Sequence, residues 1–116
     1  MDKIYIRDLM VRCIVGINDD ERTNRQDVLF NIALSVDLAP AGASDDFEDT
    51  VDYRAIKKEI MAMAEGSSFF LIEALAERTA GLCLAREGVK KVRVTVDKPG
   101  ALRFASSVAV EIEREK

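Results

Sequence analysis

An α+β domain built on one antiparallel sheet is predicted by three features of the 116-residue sequence. Apolar residues alternate in four stretches, two of these stand at each end of the chain, and two segments between them repeat apolar residues at helical spacing. The order ββααββ suits a four-stranded antiparallel sheet with two helices on its apolar face. The length is near the commonest single-domain size, so residues 1–116 are expected to form one domain.

The first stretch runs from Ile4 to Gly16 with a loose period of two, and Gly16-Ile17-Asn18-Asp19-Asp20 reads as a turn. From Val28 the alternation is strict: Val28, Phe30, Ile32, Leu34, Val36 and Leu38 share one face, with Asn31, Ser35 and Asp37 on the other. Pro40, Gly42, Ser44 and the acids Asp45, Asp46, Glu48 and Asp49 break the pattern, as a solvated crossover would. Asp52 is placed to cap a helix whose apolar side is Ile56, Ile60, Met63 and Ala64 and which ends at Gly66. Ile72, Leu75, Ala76, Thr79, Leu82 and Cys83 mark a second helix of about four turns, with Gly88 where a left-handed cap belongs. Val92, Val94 and Val96, then Val108, Val110 and Ile112 after the Pro99-Gly100 break, give the last two strands. A small sheet of this kind leaves two edges open, so association edge to edge is expected.

Composition narrows the function. Apolar residues are 48% and charged residues 33%, ordinary for a folded protein. Seventeen Lys and Arg against 21 Asp and Glu give a net charge of -4 with no basic run, which argues against nucleic acid as a partner. No apolar stretch is long enough to span a membrane, and Met1-Asp2-Lys3-Ile4 lacks a signal-peptide pattern, so the expected location is the cytosol. Cys13 and Cys83 lie in apolar stretches and read as buried free thiols. There is no histidine, which removes Ser-His-Asp and Cys-His catalysis and the usual zinc sites. Catalysis would rest on Lys, Tyr, Asp, Glu or backbone groups.

Lys98 follows Val92, Val94 and Val96 in the same register, so the pleat aims it at the face those valines bury. Desolvation there favours the neutral amine, the tuning an acid–base lysine needs near pH 7, and the competing reading is a strand-end lysine snorkelling to water. Glu73 falls in the first turn of the second helix, where the dipole favours a carboxylate. Glu21 and Tyr53 read as a loop acid and a helix-start tyrosine, with no role that the bare sequence assigns.

Ile14-Val15-Gly16-Ile17 with Glu21, Ser44-Asp45-Asp46, Asp49-Thr50-Val51-Asp52-Tyr53, Leu71-Ile72-Glu73-Ala74-Leu75-Ala76-Glu77 and Lys98-Pro99-Gly100-Ala101 together resemble the dihydroneopterin aldolase family. The resemblance implies the tunnelling fold, in which sheets of several subunits join into a tetramer ring and two rings stack into a homo-octamer. It implies a pterin substrate and no cofactor, metal or Schiff base. Carried over, Glu73 and the Ile72 backbone hold the pterin, Tyr53 comes from a neighbouring subunit to stack and move protons, Glu21 is the acidic loop residue and Lys98 the catalytic lysine. Asn24-Arg25-Gln26-Asp27 and Ala101-Leu102-Arg103-Phe104 look at least as much like the sister enzyme, dihydroneopterin triphosphate 2'-epimerase; Lys98-Pro99-Gly100-Ala101 favours the aldolase. A reading from another class is a catalytically silent module that uses the fold to oligomerise, against which the placement of all four polar residues argues.

Overall fold

The computed structural model describes residues 1–116, every position of the chain. β1 (Asp2–Val15) and β2 (Gln26–Val36) form a long antiparallel hairpin. At about 3.3 Å per residue, the 14 residues of β1 account for most of the molecule's 51 Å long axis. β2 also pairs antiparallel with β4 (Lys91–Pro99), which pairs with β5 (Ser107–Glu115). These four strands are those the alternation predicts, with ends displaced by a residue or two.

The loose periodicity of the first strand has a structural cause. Ile6 stands opposite Ile32 and Leu9 opposite Phe30, so Arg7 and Asp8 together face Asn31 in a β-bulge. Asp8 adopts φ +52°, its N–H donates to Asn31 Oδ1 at 2.9 Å, and Asn31 Nδ2 donates to Asp8 Oδ1 at 3.2 Å. The extra residue switches the inward set from Ile4 and Ile6 to Leu9, Val11, Cys13 and Val15.

The sheet has five strands, not the four expected. β3 (Ser68–Phe69) lies parallel to β1 at Ile14 and Val15, giving the order β3-β1-β2-β4-β5. Two residues carry no periodicity, so nothing in the pattern marks this strand. The expected crossover loop also holds structure: a short helix α1 (Ala39–Ser44), with no buried residue, and a 3-10 turn at Phe47–Asp49.

Two longer helices cover the apolar face. α2 (Tyr53–Glu65) begins as predicted, with Asp52 Oδ1 accepting from the Ala55 N–H at 3.0 Å, and buries Ile56, Ile60 and Ala64. α3 (Ile72–Leu84) buries Ile72, Leu75, Ala76, Thr79, Ala80 and Cys83; the Thr79 hydroxyl donates to Leu75 O at 2.7 Å, so its burial leaves no unpaired donor. The helix ends at Ala85 rather than at Gly88, whose φ of +91° serves the turn into β4 instead. Val28, Phe30, Ile32, Leu34, Val92, Val94 and Val96 meet these helices in one core. Each such side chain contributes about 1.5–3 kcal/mol when fully buried. No helix is long and apolar enough to cross a membrane.

Candidate active site

At the end of β4, Lys98 occupies the inward register set by Val92, Val94 and Val96, but it does not point into a purely apolar space. Its Nζ lies 2.9 Å from Glu21 Oε2, and the two side chains are only 12% and 14% exposed. Glu21 comes from a 3-10 turn, Asp20–Arg22, in the connection between β1 and β2. The fold sets beside Lys98 a carboxylate from 77 residues away, which the register of the valines does not reveal.

Glu21 is held on both oxygens. Besides Lys98, Gln26 Nε2 donates to Oε2 at 3.1 Å and the Asn18 N–H to Oε1 at 3.2 Å, while the Gln26 amide also donates to Val15 O at 2.9 Å. The hydrogen bond from Lys98 is the main cause that brings the Glu21 carboxyl down to about 2, with Gln26 and Asn18 adding to it against the opposing effect of burial. Glu21 is therefore a carboxylate at neutral pH. Space for it depends on Gly16: a Cβ there would stand 2.3 Å from the carboxyl carbon, and φ is +141°. Glycine is required both for the conformation and for the close approach.

Within the block Asn24-Arg25-Gln26-Asp27, Asn24 and Gln26 bond to this turn, and Arg25 and Asp27 bond elsewhere. Asn24 Nδ2 donates to Asp20 O at 2.9 Å, Arg25 Nη1 to Glu65 O at 3.1 Å, and Asp27 pairs with Arg12 at 2.8 Å. Ala101-Leu102-Arg103-Phe104, by contrast, forms an exposed tip between β4 and β5. Arg103 stands over the Phe104 ring at 5.3 Å, and Phe104 is 99% exposed at φ +69°.

Ile72 and Glu73 open α3. Ile72 is buried, whereas Glu73 is exposed and makes no hydrogen bond or ion pair within the chain. The N-cap residue Leu71 supplies no side-chain cap, and in the first turn the Ala74 N–H donates to Leu71 O at 3.1 Å. Arg22 ties this region to the Glu21 turn. Its Nη1 donates to Gly16 O at 3.0 Å and Phe69 O at 3.1 Å, its Nη2 to Ser68 O at 2.6 Å, and the guanidinium lies 4.0 Å from the centre of the Phe70 ring. Arg22 does not stand out in the sequence, because two of the carbonyls it holds are brought near only by β3, and the part Gln26 plays shows only once the β1–β2 hairpin sets it beside Val15 and Glu21.

Tyr53 is elsewhere. At the start of α2, 45% exposed, it lines a groove with Ile6, Leu9 and Met10 on the bulged part of β1. One chain thus brings Glu21 and Lys98 together and places Ile72 and Glu73 on the helix that follows β3, but it leaves Tyr53 out of that cluster.

A mixed sheet covered by two helices, with a sequestered Lys–Glu pair at one strand end and an exposed carboxylate at the start of α3, defines a small α+β domain. Comparison with known proteins makes the class specific. Residues 4–113 match the sequence profile of the dihydroneopterin aldolase family, and the chain belongs to that family. It is 43% identical over 101 residues to the dihydroneopterin aldolase of Streptomyces coelicolor, covering 87% of this chain and 85% of that one. To the dihydroneopterin triphosphate 2'-epimerase of Pseudomonas aeruginosa it is 37% identical, covering 97% and 91%. It is also 39% identical to the folic acid synthesis protein FOL1 of Dictyostelium discoideum, of whose length it spans 17%. The crystal structure of Escherichia coli dihydroneopterin aldolase in complex with neopterin superposes with a TM-score of 0.94 at 38% identity, covering 98% of this chain and 99% of that one. The fold is the tunnelling fold.

Proposed function

We propose that the chain is a 7,8-dihydroneopterin aldolase, a carbon–carbon lyase that releases 6-hydroxymethyl-7,8-dihydropterin and glycolaldehyde in folate biosynthesis. The observation that carries this reading is the Glu21–Lys98 pair, 2.9 Å apart and almost sealed from solvent, in a chain so similar to aldolases. Glu73 and the first-turn backbone at Ile72 anchor the pterin's amino-pyrimidinone edge by paired hydrogen bonds, which orient the ring.

In the retro-aldol step the 2'-hydroxyl gives up its proton and C2' becomes the carbonyl carbon of glycolaldehyde. The electron pair of the C1'–C2' bond moves through C6 into the ring imine, and N5 takes a proton. Protonation at C1' and loss of the N5 proton then restore the imine in the product. Because the substrate carries its own electron sink, the step needs neither a Schiff base to Lys98 nor a metal. Lys98, Glu21, bound water and Tyr53 of a neighbouring subunit are the groups that move the protons. The protein works as a homo-oligomer, a ring or a stacked pair of rings, because Tyr53 lies outside its own chain's cluster.

Triphosphate 2'-epimerisation uses the same cleavage followed by re-addition, and 37% identity to an epimerase keeps that reading in view. Asn24 and Gln26 are engaged in holding the Glu21 turn, while Arg25 and Asp27 bond to Glu65 O and Arg12. Incubation of the protein with dihydroneopterin and with its triphosphate decides the matter. Glycolaldehyde from the unphosphorylated substrate, undiminished by EDTA, is expected; faster inversion of the triphosphate without cleavage replaces the aldolase by the epimerase. Activity with neither substrate leaves the oligomerising module.

A further inference from the structure

We infer that Arg22 is a positioning residue that sets the Glu21–Lys98 pair in register with the pterin anchor on α3. The inference rests on the proposed function and goes beyond it by assigning a residue that touches neither the reacting atoms nor the pterin.

Three pieces of backbone meet at the Arg22 guanidinium. Gly16 O marks the end of β1, against which the Glu21 carboxyl is packed; Ser68 O and Phe69 O belong to β3; and Arg22 itself belongs to the turn that carries Glu21. Ile72 and Glu73 follow Phe69 by three and four positions, with only Phe70 and Leu71 between. β3 is otherwise held to β1 only at Ile14 and Val15, together with the Gly16 N–H donating to Phe69 O at 3.2 Å. The guanidinium is thus a main connection between the half of the site that moves protons and the half that binds the ring. Its planar fork reaches three carbonyls and stacks on Phe70 at once, which a lysine ammonium on a flexible stem does not do.

Losing the clasp leaves each half intact. α3 stays fixed by its buried residues Ile72, Leu75 and Ala76, and Glu21 keeps Lys98, Gln26 and the Asn18 N–H. What changes is the separation of the two halves, which acts on the reacting geometry more than on ring binding. Misplacement by about 1 Å can cost on the order of 100-fold in rate.

The test uses Arg22→Met, which keeps much of the stem, and Arg22→Lys, which keeps the charge, assayed with dihydroneopterin well below the melting temperature of each variant. In both, kcat is expected to fall about 10- to 100-fold while neopterin affinity changes by less than about threefold. In Arg22→Ala, millimolar methylguanidinium is expected to recover part of kcat, and methylammonium is not. Wild-type kcat in a folded Arg22→Met or Arg22→Lys enzyme overturns the inference, as does a loss confined to neopterin affinity or thermal stability. If Arg22→Met and Arg22→Ala do not fold, Arg22→Lys alone decides by the same two readouts. An inactive wild-type protein in the same assay counts instead against the aldolase reading.

Discussion

Lys98 and Glu73 are both charged side chains at the ends of elements, yet their surroundings differ. Lys98 is sequestered against Glu21, whereas Glu73 stands free at the opening of α3. Lys98→Ala is accordingly expected to lower kcat by about 10²- to 10⁴-fold, the range for removing a positioned acid or base, with little change in the binding of a pterin analogue. Glu73→Ala should raise the dissociation constant first, and steady-state kinetics beside titration calorimetry separate the two patterns. Near-normal turnover by a folded Lys98→Ala enzyme would defeat the assignment. The inward aim of Lys98 was legible from three valines in register; its partner was not, because Glu21 sits in a turn without periodicity and meets Lys98 only once β1, β2 and β4 are assembled. A pH dependence follows from the same pair. The folded-state pKa of Glu21, about 2, lies below its usual 4.5, so the native state binds this proton more weakly than the unfolded chain. Its contribution to stability is fully present above about pH 4.5 and is lost as pH falls toward 2. Urea midpoints of wild type and Glu21→Gln should differ at pH 7 and converge on acidification through that window; a constant gap would show that the shift does not contribute.

At the scale of elements, the strict alternation of β2 and the valine series of β4 were legible because each strand keeps one register from end to end. β1 does not: the bulge at Arg7 and Asp8 exchanges its faces midway, which a reader of the sequence sees only as weak periodicity. The bulge is a condition of the core, since Ile4 and Ile6 before it and Val11, Cys13 and Val15 after it all turn toward the helices. Deleting Asp8 leaves Ile6 opposite Ile32, Arg7 opposite Asn31 and Leu9 opposite Phe30, so Ile4, Ile6, Leu9, Val11, Cys13 and Val15 share the inner face in regular pairing. With the inner set kept, the deletion variant is expected to unfold within about 1 kcal/mol of wild type, because loss of the two exposed hydrogen bonds is offset by removal of the positive-φ residue. Asn31→Ala, which removes only the two hydrogen bonds pinning the bulge, should cost about 1–2 kcal/mol. Denaturant unfolding of both variants checks this; a deletion variant less stable than wild type by more than about 2 kcal/mol would mean that the strand had slipped and turned part of the inner set off the core. β3 was illegible for a different reason, being short and parallel, yet it is tied to the Glu21 turn through Arg22 and leads into α3, which Ile72 and Glu73 open.

Across the whole molecule, both edges of the sheet are open. β5 has no partner on its outer side over Ser107–Glu115, and β1 is covered there by β3 only at Ile14 and Val15. Unpaired edges of this length invite strand addition, and identical chains that add head to tail close into a ring when the rotation allows. A solution mass several times 12.9 kDa is therefore expected. The placement of Tyr53 makes the assembly matter for chemistry. Within one chain it lies in the groove with Ile6, Leu9 and Met10, apart from the recess formed by Asn18, Glu21, Gln26, Gly100 and Ala101. If each site takes Lys98 from one subunit and Tyr53 from its neighbour, two inactive variants can complement each other. Tyr53→Phe and Lys98→Ala proteins, mixed in equal amounts, dissociated and reassembled, should produce about one site in four with both residues intact under random pairing. Each variant treated alone should stay inactive, so activity approaching a quarter of the wild-type value, rising with the extent of subunit exchange, would identify Tyr53 as the neighbour's contribution. A mixture that exchanges subunits by mass spectrometry and remains inactive would place Tyr53 and Lys98 of every working site on the same chain.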